Sequence, residues 1–475
     1  RPSVFFTDKM RTGRPRLRSE LHTRPMTSYR ILNARLINEG QTQHADVRIE
    51  NGFITEVGTS VSAKPGDVVI DAGGTYLMPG VIDDQVHFRE PGLTHKATIR
   101  SESRAGVAGG VTTFMEMPNT TPNALTQPLL QDKYDIAAAT AFGNYSFFMG
   151  ASNNNLDEVL RTDARAVCGV KVFMGSSTGS MLVDNEQTLD ALFRECPMLI
   201  ATHCEDEATV RANTERYKAE YGDNPPARIH PLVRDEQACL ISSSMAVDLA
   251  KKYNTRLHVL HLTTADELTL FSNERDGAPL PLTEKRITAE VCVHHLHFTT
   301  DDYERLGNQI KCNPAIKAAH HRDALWEALL DDRLDIIATD HAPHTWAEKQ
   351  QPYWQVPSGL PLVQHPLLLM LEAANQGKIS PEKVVQKMAH APADCFQIDR
   401  RGYVREGYWA DLVLVDPNQR THVTPESILY QCGWSPLLGE TFNHRITHTF
   451  VSGELVYENG SFLTEKAGQR LAFKR

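Results

Sequence analysis

Side chains that ligate metals or move protons recur at the ends of short apolar runs in this chain: His87, Asn119, Lys171, His203, His261, His294 with His295, and Asp340. Imidazole and carboxylate are the usual ligands of zinc and related divalent ions, and catalytic sites keep a position for water. Lys171 lies in the apolar stretch Cys168 to Gly175, where a lysine is rarely buried without a partner. Burial lowers a lysine's pKa, and the neutral amine can then react with carbon dioxide. The product is a carbamate, an anion whose two oxygens can bridge two metals. Taken singly, each histidine reads equally as a hydrogen-bonded core residue and Lys171 as a salt-bridged one. Their recurrence in one register favours a shared site.

That register requires elements to hold it. Eight apolar runs predict strands over Leu77 to Ile82, Thr112 to Met117, Tyr145 to Met149, Val167 to Phe173, Met198 to Thr202, Arg256 to Leu260, Ile287 to Val293 and Leu334 to Thr339. Helical patterns, such as Gln237 to Lys252 and His321 to Leu330, separate them. Alternating strands and helices signal a parallel α/β sheet, and eight of them a (β/α)8 TIM barrel, whose sites are built at the C-terminal ends of the strands. After the first run, Asp83 to Arg89 carry polar groups out of the strand's C-terminal end. The predicted barrel spans 78–397.

Both flanks read differently. Short strand-like runs punctuated by glycine occupy Ile31 to Ile37, Val47 to Ile49 and Phe53 to Val57, with Asn51-Gly52 as a strong hairpin turn. The same texture returns at Gly402 to Val415 and His448 to Tyr457. Together, 26–77 and 398–475 predict one small discontinuous β-sandwich domain.

A chain of 475 residues exceeds the roughly 250 to 300 at which single cores stop growing, which leaves room for two domains. The net charge of -10 argues against nucleic acid as a partner, so an anionic substrate would need a local basic pocket. No apolar run approaches the ~18 residues of a membrane span. Eight scattered cysteines without a Cys-x-x-Cys pair imply neither a zinc ribbon nor a disulfide scaffold, and fit a reducing cytoplasm. Residues 1–25 hold seven Lys/Arg against two acids, and read as a disordered extension ahead of a start at Met26 or as a targeting leader. Homo-oligomerisation is left open.

The stretch Asp83-x-Gln85-x-His87-Phe88-Arg89-Glu90-Pro91-Gly92 resembles the opening motif of dihydroorotases, within the amidohydrolase superfamily of metal-dependent barrels. Glu406 to Val413 likewise resembles that superfamily's C-terminal signature. The resemblance implies a site of His87, Lys171, His203, His261 and Asp340 around one or two Zn2+ ions, with a carbamate on Lys171 and Asp340 as general base for hydrolysis by metal-bound hydroxide. It departs at Gln85, where the superfamily has a histidine and where an amide oxygen is a poorer zinc ligand. That leaves a binuclear site with one weak metal, a mononuclear site, or an inactive relative.

The same resemblance gives Arg89, Asn119 and His344 to the substrate's carboxylate, and Asn313, Ser358 and Gly359 to its ring. The implied reaction is reversible hydrolysis of (S)-dihydroorotate to N-carbamoyl-L-aspartate in de novo pyrimidine (UMP) biosynthesis. Two alternatives remain: another cyclic amidohydrolase, such as a hydantoinase, dihydropyrimidinase or allantoinase, or a non-catalytic partner of aspartate transcarbamoylase.

Overall fold

The structure, a computed structural model, describes residues 27–175 and 181–475. The predicted extension 1–25 lies outside these residues. Strands from both flanks merge into one nine-stranded mixed sheet, ordered Ser461–Phe462, Glu454–Glu458, Arg445–Val451, Leu412–Asp416, Tyr76–Pro79, Tyr29–Asn38, Gln41–Glu50 and Phe53–Gly58, with Val68–Asp71 beside Tyr29–Asn38. Asn51 and Gly52 both take positive φ (52° and 87°), as a tight hairpin turn between antiparallel strands demands. The strand predicted from Gly402 begins only at Leu412, because the residues before it form turns.

Alternation along Leu412–Asp416 explains how this sheet is fixed. Leu412 and Leu414 join a core with Ile31, Leu36 and Phe450, whereas Val413 and Val415 join the barrel's main core with Val111 and Leu367. Side chains of period two thus bury both faces of one strand.

All eight predicted barrel strands form: Val81–Val86, Val111–Glu116, Asn144–Phe147 continuing as Met149–Gly150, Val170–Phe173, Ile200–His203, Leu257–Val259, Ile287–Cys292 and Ile336–Ala338. Neighbours pair in parallel, and a parallel bridge between Val86 and His341, with the His87 N–H donating to the His341 carbonyl at 2.7 Å, brings the last strand back to the first. The first strand departs from its predicted bounds. Tyr76–Pro79 belongs to the flanking sheet, and the barrel strand runs on to Val86. Asp83 and Asp84 are therefore buried strand residues, at 1% and 0% exposure, and not part of the barrel's mouth.

Helices return the chain between strands. Glu236–Tyr253 starts where the Asp235 carboxylate accepts from the Ala238 N–H, and stops at Asn254 in left-handed conformation (φ 53°). Ala319–Leu330 occupies the second predicted helical stretch.

Candidate active site

A cavity of about 170 Å³ opens at the C-terminal ends of the barrel strands, and every predicted site residue lines it: His87, Arg89, Asn119, Lys171, His203, His261, Asn313, Asp340, His344, Ser358 and Gly359, with Gln85. Phe173, Ala342 and Pro357 complete the wall. Residues more than 250 positions apart in the chain meet here because each strand tip, or the loop after it, reaches the same rim. Lys171 is the exception in placement, being the second residue of Val170–Phe173 and not its tip.

On one side, His203 Nδ1 lies 2.9 Å from His261 Nε2. His203 Nε2 lies 3.0 Å from Glu205 Oε2, and an Nε2–H donated to that carboxylate leaves the Nδ1 lone pair facing the cavity. Burial opposes ionisation of Glu205, but the Arg234 guanidinium and His203 outweigh it and hold the carboxyl at about 2. His261 takes a left-handed backbone (φ 41°) and its N–H donates to Glu290 Oε1 at 3.1 Å. A strained backbone of this kind persists only where the surroundings enforce it.

Opposite, His87 Nδ1 lies 2.7 Å from Asn119 Oδ1, so an Nδ1–H donor leaves Nε2 aimed at Asp340 Oδ1, 3.2 Å away. Asp340 is also left-handed (φ 48°). Burial lowers the pKa of His87 and His203, and drives His261 well below the ordinary imidazole value. All three rings are thus neutral at pH 7, the form that ligates a metal. Burial also brings Lys171 down to about 8, within reach of the free amine that carbamate formation needs. Convergent neutral imidazoles, a fixed tautomer and a carboxylate form a donor set that fits a divalent cation.

The remaining wall is cationic. Arg89, itself at positive φ (69°), donates from Nε to the Pro343 carbonyl at 3.0 Å, and its Nη2 lies 3.1 Å from His344 Nε2. Lys96 Nζ lies 3.0 Å from His344 Nδ1, and His344 Nε2 lies 3.0 Å from the Ser358 carbonyl. Burial lowers Arg89 only to about 10, so it stays charged at neutral pH. Among the described residues no carboxylate lies within ion-pair distance of Arg89, whereas Lys96 pairs with Glu348 at 2.9 Å. Arg89 is therefore not spent on a structural salt bridge among the described residues.

Sequence reasoning missed Glu205, Arg234, Lys96 and Lys349. Lys349, fully buried, donates to the carbonyls of Lys311, Pro357 and Gly359, so it holds the loop that presents Ser358 and Gly359. Only Glu205 carried a signal, an acid two residues beyond a strand-tip histidine. His341 lies 2.8 Å from Glu102 Oε2 through Nε2 and accepts the Leu362 N–H, a packing role. Neither it nor His294 or His295 lines the cavity.

Residues 76–456 match the model of the amidohydrolase family. The chain belongs to that family. It is 33% identical to a dihydroorotase of Halobacterium salinarum over 86% of this chain and 92% of that protein, and 29% identical to an allantoinase of Streptomyces avermitilis over 93% and 98%. Among solved structures it superposes on an L-hydantoinase (dihydropyrimidinase) from Arthrobacter aurescens with a TM-score of 0.87, at 26% identity, covering 94% of this chain and all of that one. Family, relatives and site define a hydrolase acting on a cyclic amide.

Proposed function

We propose that this hydrolase is a dihydroorotase, converting (S)-dihydroorotate and N-carbamoyl-L-aspartate into one another in pyrimidine biosynthesis. The observation that carries this reading is Arg89: a buried guanidinium without a carboxylate partner among the described residues, facing the same cavity as Asp340 and the imidazoles. A planar fork of N–H donors suits a carboxylate on the substrate. Hydantoin and allantoin lack that group. The dihydroorotase relatives support the choice, and the allantoinase and hydantoinase relatives define what it must be tested against.

Lys171, His203, His261 and Asp340, with His87 opposite, are the residues that would hold Zn2+, and a carbamate on Lys171 would add an anionic ligand. When bound, such an ion polarises a carbonyl and makes hydroxide available at neutral pH. The chain's own part is positional. Glu205 keeps His203 in the ligating tautomer, and Arg89, with His344 behind it, orients the substrate carboxylate. Asn119 fixes His87. Asn313 and the Ser358-Gly359 loop meet the ring. In the hydrolytic direction water oxygen adds to the ring amide carbon, Asp340 takes the water's proton, and the C–N bond breaks as Asp340 delivers that proton to the leaving nitrogen. A small organic anion is thus the partner. The unpaired cysteines are in keeping with a cytoplasmic setting.

The test is turnover of zinc-loaded protein on dihydroorotate, hydantoin and allantoin, with metal content measured on the same sample. The expected result is hydrolysis of dihydroorotate far above the other two. Preference for an uncharged ring would make it a different cyclic amidohydrolase. A folded, metal-free protein without turnover that co-purifies with a transcarbamoylase would support the non-catalytic reading.

A further inference from the structure

Gln85 occupies the position where the superfamily motif carries a histidine, and its side chain is almost wholly buried, at 1% exposure. Its amide is oriented by two partners. Nε2 donates to Asp340 Oδ1 at 3.2 Å, and Oε1 accepts from the Cys292 thiol at 3.7 Å. Exchanging the amide's two ends would set its oxygen against a carboxylate oxygen, two acceptors face to face. The one atom of glutamine able to ligate a cation is therefore turned to Cys292, and the atom beside Asp340 is a nitrogen whose hydrogens exclude coordination.

The consequence falls unequally on the two sides of the cavity. A catalytic zinc site takes about three protein ligands. His203 and His261, already 2.9 Å apart, need only Lys171 or Asp340 to reach that number. On the other side, among the described residues, His87 is the imidazole beside Asp340, and the Asp340 Oδ1 it approaches is the same oxygen that Gln85 occupies from a second direction. A second ion there would have to share Asp340 and Lys171 with the first, and would compete with the Gln85 amide for Oδ1.

We infer that Gln85 is a positioning residue that holds Asp340 by hydrogen bond, and that this chain binds a single divalent ion, on the His203 and His261 side. This rests on the hydrolase reading above. Gln85 thereby does for Asp340 part of what a second ion would otherwise do: it fixes the direction of the carboxylate that shuttles the proton.

The test is ion stoichiometry, read independently of turnover. Chelator-stripped full-length protein is titrated with zinc alone by calorimetry, and retained metal is counted per chain after gel filtration. Wild type is expected to hold about one ion, Gln85→Leu still about one, and Gln85→His about two, because an imidazole there completes the second set of ligands. Two ions in wild type would overturn the inference while leaving the hydrolase reading intact, as would a folded Gln85→His protein that stays at one. If Gln85→His does not fold, the wild-type and Gln85→Leu counts decide alone. No ion in wild type would overturn both this inference and the metal-dependent reading beneath it.

Discussion

Two polar clusters lie one above the other inside the same barrel, and they differ in ways that composition does not show. Asp84, His258 and Glu290, on the first, sixth and seventh strands, have ligand atoms that all fall within 4.8 Å of one another, and every one of these residues is 0% exposed. His258 Nε2 lies 3.3 Å from Asp84 Oδ2 and 3.2 Å from Glu290 Oε2. The upper cluster, around Lys171, His203, His261 and Asp340, is looser but opens onto a cavity. Proximity of ligand-type side chains is thus the poorer guide, and access with neutral, lone-pair-bearing rings the better one. Below, burial opposes protonation of His258, but Cys395, Asp84 and Glu290 raise its pKa well above the ordinary value. With Nε2 against both carboxylates and Nδ1 2.8 Å from Thr288 Oγ1, His258 has no nitrogen turned to open space, so the lower cluster is a closed hydrogen-bonded brace. Above, burial outweighs the Glu205 carboxylate at His203 and is reinforced by neighbouring positive groups at His261, so the rings are neutral.

The sharpest way to break this contrast is to remove function from each cluster separately. Asp340→Asn is expected to lower kcat about 10²- to 10⁴-fold, the usual worth of a positioned general base, with the fold retained by circular dichroism. Near-wild-type turnover at unchanged metal content would remove that role. His258→Ala should instead act on stability, costing about 3 to 5 kcal/mol in denaturant unfolding because it leaves buried carboxylates uncompensated, while the ion count stays the same. Loss of an ion without loss of stability would reverse the assignment of the two clusters.

Smaller effects sharpen the upper site. Arg89→Met removes charge-assisted hydrogen bonds worth about 1.5 to 3 kcal/mol, so kcat/KM for dihydroorotate should fall roughly 10- to 100-fold while any hydantoin turnover is unmoved. Equal losses on both rings would deny Arg89 its part in carboxylate recognition. Glu205→Gln should weaken zinc binding about 10- to 100-fold by freeing the His203 tautomer, as seen in a calorimetric titration.

The same Glu205 gives a pH dependence with a definite sign. Its carboxyl falls from the ordinary 4.5 to about 2 in the folded chain. The stability it contributes is therefore present above pH 4.5 and is lost as the pH falls towards 2. Metal-free wild type should lose stability over that window, and Glu205→Gln should lose less of it; identical acid profiles would deny the coupling.

Much of this was legible in the residues themselves. The eight apolar runs became eight strands because their length and flanking glycines leave little else for them to be, and His203, His261 and Asp340 reach one rim because strand tips converge in a closed barrel. A run of apolar residues does not say where one sheet ends and the next begins, so Tyr76–Pro79 and Val81–Val86 read as one strand although Gly80 separates two sheets. Inward and outward alternation within a barrel depends on strand tilt, so Asp84, His258 and Glu290 gave no sign of meeting. Lys96 reaches a ring nitrogen 248 positions along the chain, and Lys349 gathers the carbonyls of Lys311, Pro357 and Gly359 from a folded loop, contacts that no helical or strand periodicity encodes.

The most direct measurement is anomalous diffraction at the zinc edge from crystals of the zinc-loaded protein, which reports where ions sit without reference to activity. One peak is expected beside Lys171, His203, His261 and Asp340, and none among Asp84, His258 and Glu290. A peak in the lower cluster, or an empty upper one in zinc-saturated protein, would contradict this placement.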